Sequence, residues 1–155
     1  MSLVQKGTGP SGHPTLPAFG FVSALTEPDR VLLSQHGEFT SVPGGEHVIY
    51  EGEEQDSLYY VISGMLQVYI ERDGAAVQVG RVGAGESLGE INLFDPGLAS
   101  ANVVAQEESY VWRCDRSHLE SFLSLYHEAG CRLMIGMMTN MSQRLRQMNE
   151  TIYES

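Results

Sequence analysis

Three patterns of apolar spacing follow one another along the chain. Between Phe19 and Leu33 the apolar positions Phe21, Leu25, Val31 and Leu32 recur at helical intervals. Thr26 offers a capping oxygen, Pro28 falls in the first turn after it, and Asp29 comes three residues after the cap. The spacing predicts a short entry helix starting behind Thr26. From about Glu38 to Asp115 the period drops to two. The runs EHVIYEG, SLYYVISG, MLQVYIERDG, AAVQVGRVGAG, SANVVAQEE and SYVWRCD are short, rich in Val, Ile and Tyr, and end in glycine or polar clusters. Asp73-Gly74 between two of these runs predicts a hairpin, since both residues tolerate the positive φ of a tight turn. Tyr59 and Tyr60 are expected on opposite faces of a strand, and Trp112 and Tyr110 are read as core and surface. Strands this short and regular imply a sandwich or barrel. The acidic stretch Glu51–Asp56 is read as a solvated turn that guards an edge.

The third pattern begins at Ser117. Ser117 and Glu120 have the spacing of a capping box ahead of Leu119, Phe122 and Leu123. A helix is expected to follow, interrupted near Gly130 and running to about Ile152. Within it Met134, Met138, Met141, Leu145, Met148 and Ile152 alternate steps of four and three, a heptad seam. That seam either pairs with a second copy of the chain or docks on the β region. Leu133 and Met137 supply a second apolar set for docking, which favours the first use. Ahead of all this, residues 1–17 carry three Gly and three Pro with little apolar pattern, and are expected to form a flexible tail. The expected divisions are a tail over 1–17, a β domain with its entry helix over 18–125, and a C-terminal helix over 126–155.

Length and charge narrow the classes. A chain of 155 residues that is 42% hydrophobic can bury one ordinary core without staples. Its formal charge of −11 argues against holding nucleic acid or an anionic membrane by bulk electrostatics. The closest basic cluster is Arg144 with Arg146. Without an 18-residue apolar run or a signal-peptide pattern, a cytoplasmic setting is expected. Cys114 and Cys131 are expected as buried free thiols. Of His13, His36, His47, His118 and His127, only His47 lies in a strand-like run, so no metal set is expected and none is assigned. No Ser-His-Asp or Cys-His arrangement is evident, and no catalytic residue is assigned.

One ordered set of motifs points further. The stretch GGEHVIYEGEEQDSLYYVISGMLQVY carries Gly45, Glu46, Val48, Gly52, Leu58, Tyr59, Val61 and Gly64; GESLGEINLF carries Gly85, Glu86, Leu88, Gly89 and Glu90; SQRLRQMN closes the last helix. Together they resemble the cyclic-nucleotide-binding domain family over roughly Phe19 to Ile152. The resemblance implies a mainly β fold with flanking α: an antiparallel double-stranded β-helix, or jelly roll, with an N-terminal helix and a long C-terminal helix. It also implies that GESLGEINLFDPGLASANVVA is a phosphate-binding cassette, with ligand-binding positions at Leu88, Gly89, Glu90, Ile91, Ala99, Ser100 and Ala101. Glu90 would accept a ribose 2′-hydroxyl, Ser100 would donate its hydroxyl, and the Ala101 N–H would join it.

The cassette departs from the family at one place. The resemblance calls for an arginine before the small pair Ser100 and Ala101, and Ala99 stands there. A two-pronged arginine contact neutralises a phosphate, so its loss should weaken binding by on the order of 100-fold. The function expected is a stand-alone, non-catalytic regulatory or sensor module with ordinary cyclic-nucleotide affinity weakened or lost. Two alternatives stay open: a working receptor for a cyclic nucleotide or another small anion that borrows an arginine from the C-terminal helix or a partner chain, and a fragment of a catabolite-activator-type transcription regulator. Cyclic AMP or cyclic GMP is the ligand allowed for, with a homodimer through the C-terminal helix and a partner protein. Neither a nucleic acid bound directly nor a membrane is expected.

Overall fold

The computed structural model describes residues 7–8 and 13–154. The chain enters through a short antiparallel pairing of β1 (Gly7–Thr8) with β2 (Pro14–Thr15). Leu16 follows at 1% exposure, and its N–H donates to the Ser34 hydroxyl at 2.9 Å. The expected tail is therefore corrected at its end: a lone leucine in a polar stretch gives no periodic signal, yet it is buried on folding. The earlier part of that tail lies mostly outside the described residues. A 3-10 turn at Gly20–Val22 leads to α1 (Glu27–Ser34). Its capping box forms as the sequence predicts, with Thr26 Oγ1 accepting from the Asp29 N–H at 3.2 Å and Asp29 Oδ2 from the Thr26 N–H at 3.1 Å.

The β region comprises β3 (Glu38–Val42), β4 (His47–Ile49), β5 (Glu54–Gln55), β6 (Ser57–Ser63), β7 (Met65–Arg72), β8 (Ala75–Gly83) and β9 (Ser87–Leu88). After α2 (Glu90–Phe94) come β10 (Gly97–Leu98), β11 (Asn102–Ala105) and β12 (Ser109–Asp115). Two antiparallel four-stranded sheets result, ordered β4-β11-β7-β8 and β3-β12-β6-β9, with β5 paired to β10. Residues 51–56 are thus more than a turn, because Glu54–Gln55 pair with the cassette's outgoing arm. Asp73 and Gly74 both take positive φ, 54° and 79°, closing the predicted hairpin between β7 and β8.

Strand β6 separates two cores. Leu58, Tyr60 and Ile62 face a cluster beneath the helices, while Tyr59 and Val61 face a second cluster between the sheets. Being buried on both faces, the strand shows alternation of direction without alternation of polarity. Trp112 joins the first cluster, and Tyr110 packs against the same one. The core-and-surface reading of that pair is corrected, because residues two apart on a strand share a face.

Helix α3 (Arg116–Leu125) is capped by Asp115, whose Oδ1 accepts the His118 N–H at 2.8 Å. The expected Ser117–Glu120 box does not form; Glu120 instead pairs with Arg116 at 3.0 Å. The interruption falls at Tyr126 rather than Gly130, and α4 runs from His127 to Glu154. Leu133 and Met137, at 0% and 1% exposure, dock α4 on the roll. A Cβ on Gly136 would overlap the Phe21 carbonyl, so the bare glycine lets α4 cross the Gly20–Val22 turn. Cys114 is buried, and burial pushes its thiol up to about 12. Cys131 is exposed, which corrects the expectation of two buried thiols: its neighbours Leu133 and Met137 face inward, and Cys131 is on the outer face of the same helix.

Candidate functional site

The turn between β9 and α2 is built around one backbone demand. Gly89 caps α2 with φ +89°, a left-handed conformation, and a Cβ there would run into the Ser57 carbonyl. That carbonyl also accepts from Gln55 Nε2 at 3.0 Å, so β6 and the β5 arm are both drawn against the cassette. Across the turn, Leu93 N–H bonds to Gly89 O at 3.0 Å, and Arg116 holds the far end through Phe94 O at 2.9 Å. The outgoing arm is pinned by two backbone bonds, Ala99 N–H to Glu53 O at 2.8 Å and Gly52 N–H to Ala99 O at 2.9 Å.

Glu90 is the chemical centre of the turn. It is 6% exposed, and its Oε1 accepts a short hydrogen bond from the Ser87 hydroxyl. The same oxygen takes the Arg144 guanidinium at 3.2 Å, while a second nitrogen of Arg144 donates to Ser87 O at 2.5 Å. Arg144 comes from α4, 54 residues along the chain from Glu90. A buried carboxylate needs such a partner, since burying an unpaired charge is costly.

These residues border a cleft of about 790 Å³ between the β7–β8 hairpin, the cassette and α4. Its apolar wall includes Val68, Val82, Leu88 and Met148, and its charged residues are Arg81, Glu86, Glu90 and Arg144. Two arginines against two glutamates leave the lining with no formal net charge. The volume falls in the range of small-molecule sites. Among the described residues no three His, Cys, Asp or Glu side chains gather as metal ligands.

Of the expected ligand positions, Leu88, Gly89 and Glu90 line this cleft. Ile91 is 74% exposed on the outer side of α2. Ala99 is buried at 7% in the cluster between the sheets, Ser100 is exposed and Ala101 is half-buried, and none of the three lines the cleft. The β-hairpin wall and Met148 were not foreseen. Strand alternation marks Val68 and Val82 as inward, but no local pattern says which inward residues edge an opening. Arg144 was singled out only as part of a basic pair. Its neighbour Arg146 lines a separate shallow groove on α4 with Ile135 and Met138.

A family model described as the cyclic nucleotide-binding domain matches residues 39–126. A CRP-like cAMP-activated global transcriptional regulator from Mycobacterium tuberculosis is 29% identical over 128 residues, covering 81% of this chain and 55% of the regulator. The regulatory subunit of a cAMP-independent protein kinase A from Trypanosoma cruzi, bound to guanosine, is 26% identical with a TM-score of 0.59, over 67% of this chain and 38% of that one. The Trypanosoma brucei counterpart was solved as a triple mutant, one of whose changes introduces an arginine, bound to cAMP; it is 26% identical with a TM-score of 0.63, over 79% of this chain and 43% of that one. The chain spans between 7% and 55% of the length of the first curated relatives it matches.

Proposed function

Because the chain belongs to the cyclic nucleotide-binding domain family, we propose that it is a non-catalytic regulatory module whose phosphate subsite has lost its cation. The observation that carries this is Ala99, a buried methyl group where the family resemblance calls for an arginine. The two guanidinium groups that touch the cassette are already paired with carboxylates, Arg144 with Glu90 and Arg116 with Glu120. A cyclic phosphate placed beside Ser100 and Ala101 would then meet backbone N–H groups and a hydroxyl without a compensating positive charge. Ordinary cyclic-nucleotide affinity is weakened by on the order of 100-fold on this reading. The test is isothermal titration with cyclic AMP and cyclic GMP of the wild type and of Ala99→Arg. The substitution should strengthen binding by about 100-fold. Micromolar binding by the wild type, unchanged by Ala99→Arg, would sink the proposal and favour an arginine supplied from elsewhere.

A second reading is favoured by the charge balance of the cleft. Two arginines and two glutamates offer a net-neutral lining with one apolar wall, which suits an uncharged nucleoside better than a phosphate. The guanosine bound by the T. cruzi relative is consistent with that. Titration with guanosine and adenosine beside the cyclic nucleotides separates the two readings. The exposed seam of α4, with Met138, Leu145 and Met148 more than 60% exposed, fits a homodimer as the output interface. No described helix is long and apolar enough to cross a membrane.

A further inference from the structure

We propose that α1 carries a peptide-recognition slot for an extended, leucine-bearing segment, and that residues 14–16 of this same chain fill it as a releasable strap. The segment enters the body of the protein through one side chain. Leu16 is 1% exposed in the core cluster under the helices, while His13, Pro14, Thr15 and Pro17 are half-buried and Ala18 and Phe19 are exposed. Among the described residues β2 has one strand partner, β1, which belongs to the same segment, so neither four-stranded sheet holds it. Both backbone groups of Leu16 go instead to side chains of α1. Its N–H donates to Ser34 Oγ at 2.9 Å, and its carbonyl accepts from Arg30 Nε at 3.2 Å. A pocket for one apolar side chain, flanked by an acceptor and a donor for the backbone, is how a binding site reads an extended peptide.

The two residues that read the backbone are held in place by contacts that do not involve the strap. Ser34 is at 0% exposure, its Oγ donates to Arg30 O at 2.5 Å, and its carbonyl accepts from Trp112 Nε1 at 3.3 Å. Arg30 is anchored separately, its Nη1 donating to Leu25 O at 2.9 Å. Departure of the strap would therefore leave the slot formed but empty. It would also expose apolar surface and take from the buried Ser34 oxygen the donor it accepts from, so an empty slot favours refilling. The sequence prepares the occupant as well. Pro17 restricts Leu16, the residue before it, to extended backbone, which lowers the ordering cost of docking. Neither Arg30 nor Ser34 lines the cleft, and the inference stands whether or not a nucleotide binds there.

Two measurements on the full chain test this. The first is amide hydrogen exchange of the wild type. A strap that leaves by itself requires the Leu16 N–H to exchange faster than the core amides of β6, at a rate that low denaturant hardly changes. Ser34→Ala should speed that exchange by about 2- to 10-fold, the worth of one hydrogen bond. One common rate and one common denaturant dependence for Leu16 and β6 would overturn the proposal, because the segment would then open only with the whole fold. The second measurement uses Leu16→Asp, whose carboxylate is driven out of the apolar slot, and a synthetic peptide of residues 13–19, HPTLPAF. At millimolar concentration the peptide should raise the unfolding midpoint of the variant and leave the wild type, whose slot is filled, unchanged. The same peptide carrying Leu16→Asp should do neither. No shift with the leucine peptide, the same shift with both peptides, or the same shift in variant and wild type would overturn recognition in trans. Should Leu16→Asp fail to fold, exchange of the wild type and of Ser34→Ala decides by the criterion above.

Discussion

Gly89 bears two constraints at once, a φ of +89° and a carbonyl where its side chain would be. Gly89→Ala should cost about 1–3 kcal/mol in urea unfolding, since a non-glycine residue held in that region is strained even before the overlap with Ser57 is relieved. Asp29 carries a different kind of constraint. Its carboxylate takes a two-pronged contact from Arg132, at 2.8 and 3.0 Å, which links α1 to α4. The Arg132 guanidinium holds its carboxyl below the ordinary value of 3.8, with the Thr26 cap adding to the effect and burial opposing it. A group whose folded value is depressed contributes stability above its unfolded value, and loses it as pH falls through the folded one. Asp29→Asn keeps an oxygen for the Thr26 cap, removes the charge and leaves Arg132 one acceptor in place of two. Its denaturant midpoint should lie below that of the wild type by a constant amount from pH 7 to 5, and the gap should close below pH 3.8. A gap that does not begin to narrow below pH 3.8 would mean that packing, not charge, accounts for the pair.

At the level of elements, α3 is capped by Asp115 in place of the Ser117 that the sequence spacing predicts. Asp115 holds the His118 N–H at 2.8 Å, while Ser117 lies inside the helix, exposed. Asp115→Ala should therefore cost about 1 kcal/mol in thermal or denaturant unfolding. Ser117→Ala should stay within about 0.5 kcal/mol. Equal costs would return the cap to Ser117. The local pattern favoured Ser117 because a capping box is recognised by spacing alone. Asp115 is also the last residue of β12, and the strand's pairing with β6 decides where the helix can begin. The entry helix had no such competitor: the residues just ahead of Thr26 belong to no strand, so its box formed where the spacing put it.

At the scale of the whole molecule, α4 divides between two duties. Its inner face, Leu133 and Met137, closes the core under the helices. Its outer face presents Ile135, Met138 and Leu145, each more than 60% exposed, while the equally exposed Met148 borders the cleft. Leu133→Ala should destabilise the fold by about 2–5 kcal/mol, as truncation of a fully buried leucine does. Leu145→Glu should leave the unfolding midpoint nearly unchanged and shift the sedimentation behaviour from dimer to monomer. A wild type that sediments as a monomer at every concentration would remove the homodimer from the proposed function. The last position of the seam, Ile152, lies outside the residues whose side chains are described.

The sequence by itself determined the order of elements: an entry helix, a run of short strands closed by glycine turns, and a terminal helix with two apolar faces. Periodicity carries that information because burying one face demands a two- or 3.6-residue repeat, and the demand is local. The cassette's glycines and the absence of an arginine at Ala99 were equally legible, since each is a property of one short stretch. Only the tertiary structure decided that Leu16 is buried and Cys131 exposed, that Tyr110 shares a face with Trp112 in one of two cores, and that Arg144 grips Glu90. The physical reason is the same in each case. A charged partner 54 residues away, or a slot that takes one leucine, comes into being when separate elements pack, and no repeat along the chain records where they will meet.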